Sequence, residues 1–268
     1  MHMKMETAKP RAGDLITEFA ADGRYHFATA ELRTALGVSA AATRLALHRL
    51  AKKGVVASPA RGFYVIVPPE YRRIGCLPAD QFIPALMERL KRPYYAALLS
   101  AAQYHGTAHH RPQAFQVALA GNRRPISCGT VEVSFIARKR IADVPVQSFN
   151  TPRGTILASS IEATAVDLVG YEKRIGGLDQ AATVLSELAE RIDPDLLVTA
   201  VRTAPIPWAQ RLGYLLELVG AADKTLPLKA HVRQQARDTA LLLPSANDHG
   251  TRAKDWRLLV NAEIEVDT

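Results

Sequence analysis

The chain has little cysteine, no long apolar run and none of the short catalytic signatures that its 268 residues could carry. Cys76 and Cys128 are its only cysteines. They lie far apart without a C-x-x-C pair, so they give no zinc framework. So few cysteines in a chain of this size point to a reducing compartment, and the cytoplasm is the expected location. No apolar stretch approaches the roughly 18 residues of a membrane span, and there is no signal-peptide pattern. The glycine-rich Walker loop, H-E-x-x-H and G-x-S-x-G are all absent, which removes P-loop NTPases, zincins and the α/β-hydrolase elbow. Internal repeats and low-complexity blocks are missing too.

Basic charge is present, and it is unevenly placed. The net charge is +8, and an apolar fraction of 48% allows a sizeable core. Residues 1–75 hold four Lys and eight Arg against six acids, a balance of +6, which leaves +2 for the remainder. A basic module of this kind suits a polyanion. An anionic membrane surface would also attract it, but without an apolar span nucleic acid is the better match, and no membrane partner is expected.

Residues 27–67 read as a winged helix-turn-helix. A helix is expected after Thr29, whose hydroxyl can cap it, and Glu31 suits the positive helix end. It runs through Leu32 and Leu36 to Gly37. Ser39 is the expected cap of a second helix reaching Lys53, with Gly54 as its terminator. Val55-Val56, a Pro59-Ala60-Arg61-Gly62 turn and the alternating run from Phe63 to Val67 then give a hairpin. At about 100° per residue, Thr43, Ala46, Leu47, Leu50 and Ala51 share one face of the second helix, a core stripe. Ala41, Arg44, Leu45, His48, Arg49 and Lys52 share the other.

This order puts the second helix in a DNA major groove with the hairpin beside it as a wing. Ser39, Arg44, His48, Arg49, Lys52 and Arg61 are the candidate contacts, and Ala41 permits close approach. Arg44, which can fork to guanine O6 and N7, and His48 are the candidates for bases. Lys52, Lys53 and Arg61 suit phosphates. A merely solvated basic face is the plain alternative. Agreement of pattern, turn and hairpin favours DNA.

Upstream, residues 11–22 read as an amphipathic helix on Leu15, Ile16 and Phe19, ended by Gly23. It completes a three-helix module closing near Pro68-Pro69. Residues 68–80, with Pro68, Pro69, Gly75 and Pro78, are the candidate linker, so domains are expected at 1–75 and 76–268. Beyond it the pattern predicts helices over 79–92 and 94–104, and strands over 115–120, 130–137, 144–149 and 155–158. Ser159-Ser160-Ile161-Glu162 reads as a capping box opening another helix. Residues 178–219 read as helical, broken at Asp193-Pro194 and Pro205-Ile206-Pro207. Residues 220–255 read mostly as loop, and 256–260 as a late strand. The fold class is α+β: a winged helix-turn-helix domain, then a larger α+β domain with a small mixed sheet and a helical C-terminal half.

Three constellations invite chemistry and have plainer readings. His105 and His109 stand four apart with His110 adjacent, but Gly106 interrupts any helix and no acid or Cys completes a metal set. Asp193-Pro194-Asp195 has the spacing of a magnesium-binding pair, yet Asp193 as cap and Pro194 at the first helical position explain it. Glu132, Lys139 and Asp143 invite a nuclease reading, which stays an alternative although the usual Asp…Glu-x-Lys spacing is missing, Ser134 standing two residues after Glu132. No catalytic residue, metal or cofactor is expected. Arg123-Arg124 and Arg138-Lys139-Arg140 are basic clusters at the ends of neighbouring strands. With Asp167, they are the candidate surface of the second domain. Asp167 has no role that its helix explains.

Several stretches resemble the AbiEi-type antitoxins, the antitoxin half of a type IV abortive-infection system. They are residues 46–66 (ALHRLAKKGVVASPARGFYVI), the segment from Tyr94-Tyr95 through Ser100-Ala101 to His105-Gly106, the helix Ser159 to Val169 with Glu162, Thr164 and Asp167, and Trp256 to Asn261. The resemblance implies a winged-helix domain joined to a larger domain that opposes a toxin. It further implies a non-enzymatic repressor of its own operon, bound to repeats in the promoter. The toxin would resemble a nucleotidyltransferase, be encoded next door and form no stable complex with the antitoxin. The role would be phage defence. A monomer in solution that binds DNA cooperatively would fit tandem repeats. One departure is the Ala40-Ala41-Ala42 start of the recognition helix, which offers few base donors and shifts weight to phosphates and DNA shape. The alternative is a winged-helix regulator whose C-terminal domain senses a small ligand.

Overall fold

The computed structural model describes residues 11–107 and 112–266, so His109 and His110 lie outside the described residues. The chain is mixed helix and sheet and packs as two compact units. The first contains the chain up to Lys91 and takes back Arg124–Ser134 and Asn150–Thr155. The second comprises Arg92–Arg123, Phe135–Phe149 and the chain from Ile156 onward.

The first unit opens with α1 (Ala12–Ala21), β1 (His26–Ala28), α2 (Thr29–Leu36), α3 (Ala40–Lys52), β2 (Val56–Ala60), β3 (Phe63–Ile66) and α4 (Ala79–Leu90). The three strands form an antiparallel sheet in the order β1-β3-β2. Apolar residues at helical spacing close the core: Leu15 and Ile16 of α1, Leu32 and Leu36 of α2, and Leu47 and Leu50 of α3 meet Phe27, Val56 and Ile66. Gly37 and Gly54 take positive φ (61° and 66°), the left-handed turn that ends a helix cheaply only in glycine.

Three local details differ from the sequence expectation. The α2 cap is Ala28, not Thr29; the Glu31 carboxylate accepts the Ala28 N–H at 3.3 Å, while Thr29 N–H donates to Gly62 O. Ala51 is exposed rather than part of the core stripe. The hairpin turn is the two residues Arg61-Gly62, because Ala60 already pairs with Phe63. Pro59 sits inside β2 at a bulge between Ala57 and Ala60, a position that tolerates its missing N–H.

The unit also extends past the expected boundary at 75. Within the stretch 68–80, Cys76 and Leu77 are buried, so this stretch is packed rather than an open linker. In α4, Phe82, Ile83, Leu86 and Met87 are buried. Arg153 anchors the returning segment 150–155. Its guanidinium lies 3.5 Å above the Tyr25 ring, Nε donates to Gln81 Oε1 (2.9 Å), and Nη2 donates to Glu70 Oε1 (3.0 Å).

The remaining elements are β4 (Tyr94–Ala96), α5 (Leu98–Tyr104), β5 (Phe115–Leu119), β6 (Ile126–Cys128), β7 (Val131–Ala137), β8 (Val146–Thr151) and β9 (Gly154–Ser159). They continue with α6 (Ile161–Gly170), α7 (Leu178–Leu188), α8 (Pro194–Val201), α9 (Ile206–Leu218), α10 (Leu226–Gln235), β10 (Ala240–Leu241), β11 (Thr251–Ala253) and β12 (Leu258–Val260). The large sheet runs β6-β7-β5-β4-β9-β8, and a small one runs β10-β12-β11. In the second unit α6 is the central helix. All its residues from Glu162 to Val169 are buried, and α5, α7, α8 and α9 pack on it.

Four expectations for this part are corrected. Tyr94 to Ala96 is strand, not the start of a helix, because it pairs with Leu119 to Val117 on one side and with Ala158 on the other. β6 was not expected. The α6 cap is Ser160, whose Oγ accepts the Ala163 N–H at 3.2 Å, so Glu162 is not a capping-box partner; it accepts Asp193 N–H instead (3.2 Å). Residues 226–235 form α10 rather than loop, with only Leu228 and Val232 buried at an i, i+4 interval.

Candidate nucleic-acid interface

The outer face of α3 has a simple origin. Ser39 caps the helix, its Oγ accepting the Ala42 N–H at 3.2 Å, and the Thr43 hydroxyl is satisfied by Ser39 O (2.9 Å). With Thr43, Leu47 and Leu50 buried, a period of 3.6 leaves Ala41, Arg44, Leu45, His48, Arg49 and Lys52 outside, and all six are exposed. Lys53 is exposed at the C-cap. No acid interrupts α3. Arg61 is exposed in the wing turn, where Gly62 has φ +72°. The first unit thus assembles every one of the candidate DNA contacts on helix-turn-helix and wing positions.

The candidate surface of the second part fares differently. Arg124, Lys139 and Arg140 are exposed, and Arg140 is held by Asp143 (2.8 Å) and Arg202 O (2.9 Å). Arg123 is half-buried, its guanidinium 5.4 Å from the Phe135 ring. Arg138 and Asp167 are not surface residues: they are 2% and 0% exposed. Arg138 Nε donates to Asp167 Oδ1 at 2.9 Å and the Tyr95 hydroxyl donates to Oδ2 at 2.7 Å. Arg138 also donates to Thr203 O (2.9 Å) and Thr203 Oγ1 (3.0 Å). Burial lifts the Asp167 carboxyl above the usual range, and Arg138 and Tyr95 pull against it. This cluster is a structural core. Sequence reasoning singled out Asp167 but missed Tyr95 and Thr203, because partners so distant in sequence leave no local signal.

The other constellations resolve into structure. Asp193 is the α8 cap, its Oδ1 accepting the Asp195 and Leu196 N–H groups (2.9 and 3.0 Å), with Pro194 in the first turn. Glu132 accepts from Ser127 Oγ. Among the described residues, no group of three or more His, Cys, Asp or Glu is placed to hold a metal. His105 is buried, and its Nε2–H donates to Ser159 O at 2.7 Å.

Burial holds the His105 imidazole below its usual 6.5, against the pull of the Ser159 carbonyl, and burial lowers His26 and His231 in the same way. A histidine whose folded value is depressed contributes stability that is complete above the unfolded value and lost as pH falls from there through the folded value. Stability is therefore expected to fall as pH drops below histidine's usual 6.5. His105→Gln should flatten that fall in urea midpoints. An equally steep fall in the variant would remove His105 from the account.

Comparisons with known proteins agree with this layout. Residues 14–67 match a family model described as a transcriptional regulator, AbiEi antitoxin. Residues 95–218 match one described as the AbiEi antitoxin C-terminal domain. A crystal structure of the RV2827C protein from Mycobacterium tuberculosis is similar in fold, with a TM-score of 0.66 and 18% identity, over 92% of this chain and 90% of that one. Curated proteins gave no match. Matched in order by both parts of one family, over more than half of its length, the chain belongs to the AbiEi antitoxins.

Proposed function

We propose that this chain is a type IV antitoxin. It represses its own operon through the winged helix and opposes a nucleotidyltransferase-like toxin without forming a stable complex. The observation that carries the DNA half is the acid-free, exposed basic face of α3 beside a wing tipped by Arg61. Arg44 and His48 are assigned to bases, and Lys52, Lys53 and Arg61 to phosphates. Ser39, Ala41 and Arg49 lie on the same surface. Few donors precede Arg44 on α3, so phosphate contacts and DNA shape supply much of the affinity. The chain acts as a DNA-bound regulator in the cytoplasm, and tandem promoter repeats permit cooperative binding by monomers.

The test is fluorescence anisotropy on the gene's own upstream DNA, against scrambled DNA, across a salt series. Preference for the upstream repeats, with affinity falling as salt rises, is the expected result. Arg44→Ala is expected to cost about 1–3 kcal/mol on the specific site and to relax preference at one base pair. Unchanged binding would strike out that contact. Co-expression with the product of the adjacent gene tests the other half: growth should be rescued only with the antitoxin present, and the two proteins should not co-purify.

A further inference from the structure

The two cysteines, unrelated in sequence, are neighbours in the first unit. Ile74 O accepts the Thr130 N–H at 2.8 Å. The Gly75 and Gly129 backbones cross in contact: a Cβ on Gly129 would fall 2.9 Å from Gly75 Cα, and one on Gly75 would fall 3.2 Å from Gly129 Cα. Ile74 faces Thr130 and Gly75 faces Gly129, so the segments run antiparallel and the next facing pair is Cys76 and Cys128. Both thiols are free, at 0% and 9% exposure. The two thiols act directly on one another, and strand β6, which carries Cys128, packs on β2. A disulfide needs its two cysteines on backbones that approach closely, and the contact at Gly75 and Gly129, one residue from each thiol, supplies that approach.

We propose that Cys76 and Cys128 form an oxidisable dithiol, a modification site at which a hydroperoxide closes a disulfide between the two crossing segments. The roles differ. Cys128 is 9% exposed and Cys76 is 0% exposed, so Cys128 is the sulfur a peroxide reaches and Cys76 the resolving thiol. Contact with Cys76 also brings the Cys128 thiol below its usual range, while contact with Cys128 and burial push Cys76 up. In the first step the Cys128 sulfur attacks the peroxide oxygen. The O–O bond breaks, an alcohol or water leaves with a proton, and Cys128 becomes a sulfenic acid. In the second step the Cys76 sulfur bonds to Cys128, and its proton leaves with the displaced hydroxide as water. Two thiols and one hydroperoxide thus give one disulfide, one alcohol or water, and one further water. Strand β6, which carries Cys128, packs on the wing strand β2, so the bond fastens the support of the wing.

The experiment uses the full-length reduced protein, native hydrogen peroxide titration, alkylation of remaining thiols, and intact and peptide mass measurement. The expected product is monomeric, lighter by two hydrogens, has the residue 76 and 128 peptides joined, and is restored by dithiothreitol. Cys76→Ala should stop at oxygen addition on Cys128. The oxidised wild type should also melt at a higher temperature than the reduced form, since the bond closes the 76–128 loop in the unfolded chain. Thiols that stay alkylatable, oxygen addition without a link in the wild type, a disulfide between molecules, or a lowered melting temperature would each overturn the proposal. The mass measurement needs no variant and no DNA, so its outcome is independent of the operator assay.

Discussion

Asp167→Ala is expected to lower the stability of the second unit by about 3–5 kcal/mol, the cost of removing one partner of a buried ion pair. The carboxylate is fully buried and satisfies two groups, Arg138 Nε and the Tyr95 hydroxyl. Without it, a guanidinium that cannot shed its proton stays in a nearly solvent-free site, its side chain only 3% exposed. Thr203 would still accept from Arg138, but its neutral oxygens do not balance the charge. Both tryptophans, Trp208 and Trp256, belong to this unit, so the urea transition of their fluorescence reads it directly. A loss under about 1 kcal/mol would show that the pair contributes little. Replacing both partners by apolar residues should recover much of the loss, because no unpaired charge is then left behind. An antitoxicity assay on the single variant therefore needs a folding control, and the double variant supplies it.

Trp256→Ala is expected to cost a comparable amount, about 3–5 kcal/mol. Trp256 is 1% exposed, and its Nε1–H donates to Glu217 Oε2 at 2.8 Å. Its ring lies against the α9 backbone at Gly213, where a Cβ would come within 2.0–2.4 Å of ring carbons. This explains a glycine in the middle of a helix, a position where alanine would ordinarily be favoured by about 1 kcal/mol. Lys229 bonds Glu217 at 2.7 Å and sits 5.3 Å above the ring, covering it from outside. The reciprocal variant Gly213→Ala should itself cost about 1–3 kcal/mol or more through overpacking. In the Trp256→Ala background the same change should be nearly neutral or stabilising, and chemical denaturation of the four proteins measures the coupling. Additive losses would mean that the ring does not set the glycine.

The winged helix was legible in the sequence because its signals are local. Ser39, Gly37 and Gly54 punctuate the helices, and Thr43, Leu47 and Leu50 repeat at the helical period. The breaks at Asp193-Pro194 and before Pro207 were legible for the same reason. α10 was not, since two buried residues in a polar segment give no readable stripe. Tyr94 to Ala96 was misread because two neighbours distant in sequence, β5 and β9, make it a strand, and pairing outweighs local preference.

The sequence alone determined where α3 begins, that Gly37 and Gly54 follow the ends of α2 and α3, which face of α3 carries the charge, and that an acidic residue stands in the apolar α6 helix. These follow from backbone capping and side-chain periodicity, which act over a few residues. Only the tertiary structure decided that Asp167 belongs to Arg138 and Tyr95, that Gly213 makes room for Trp256, and that Cys76 meets Cys128. Those pairings depend on which distant segments share a core, and burial alone turns such neighbours into binding partners, since in water each group would be satisfied by solvent.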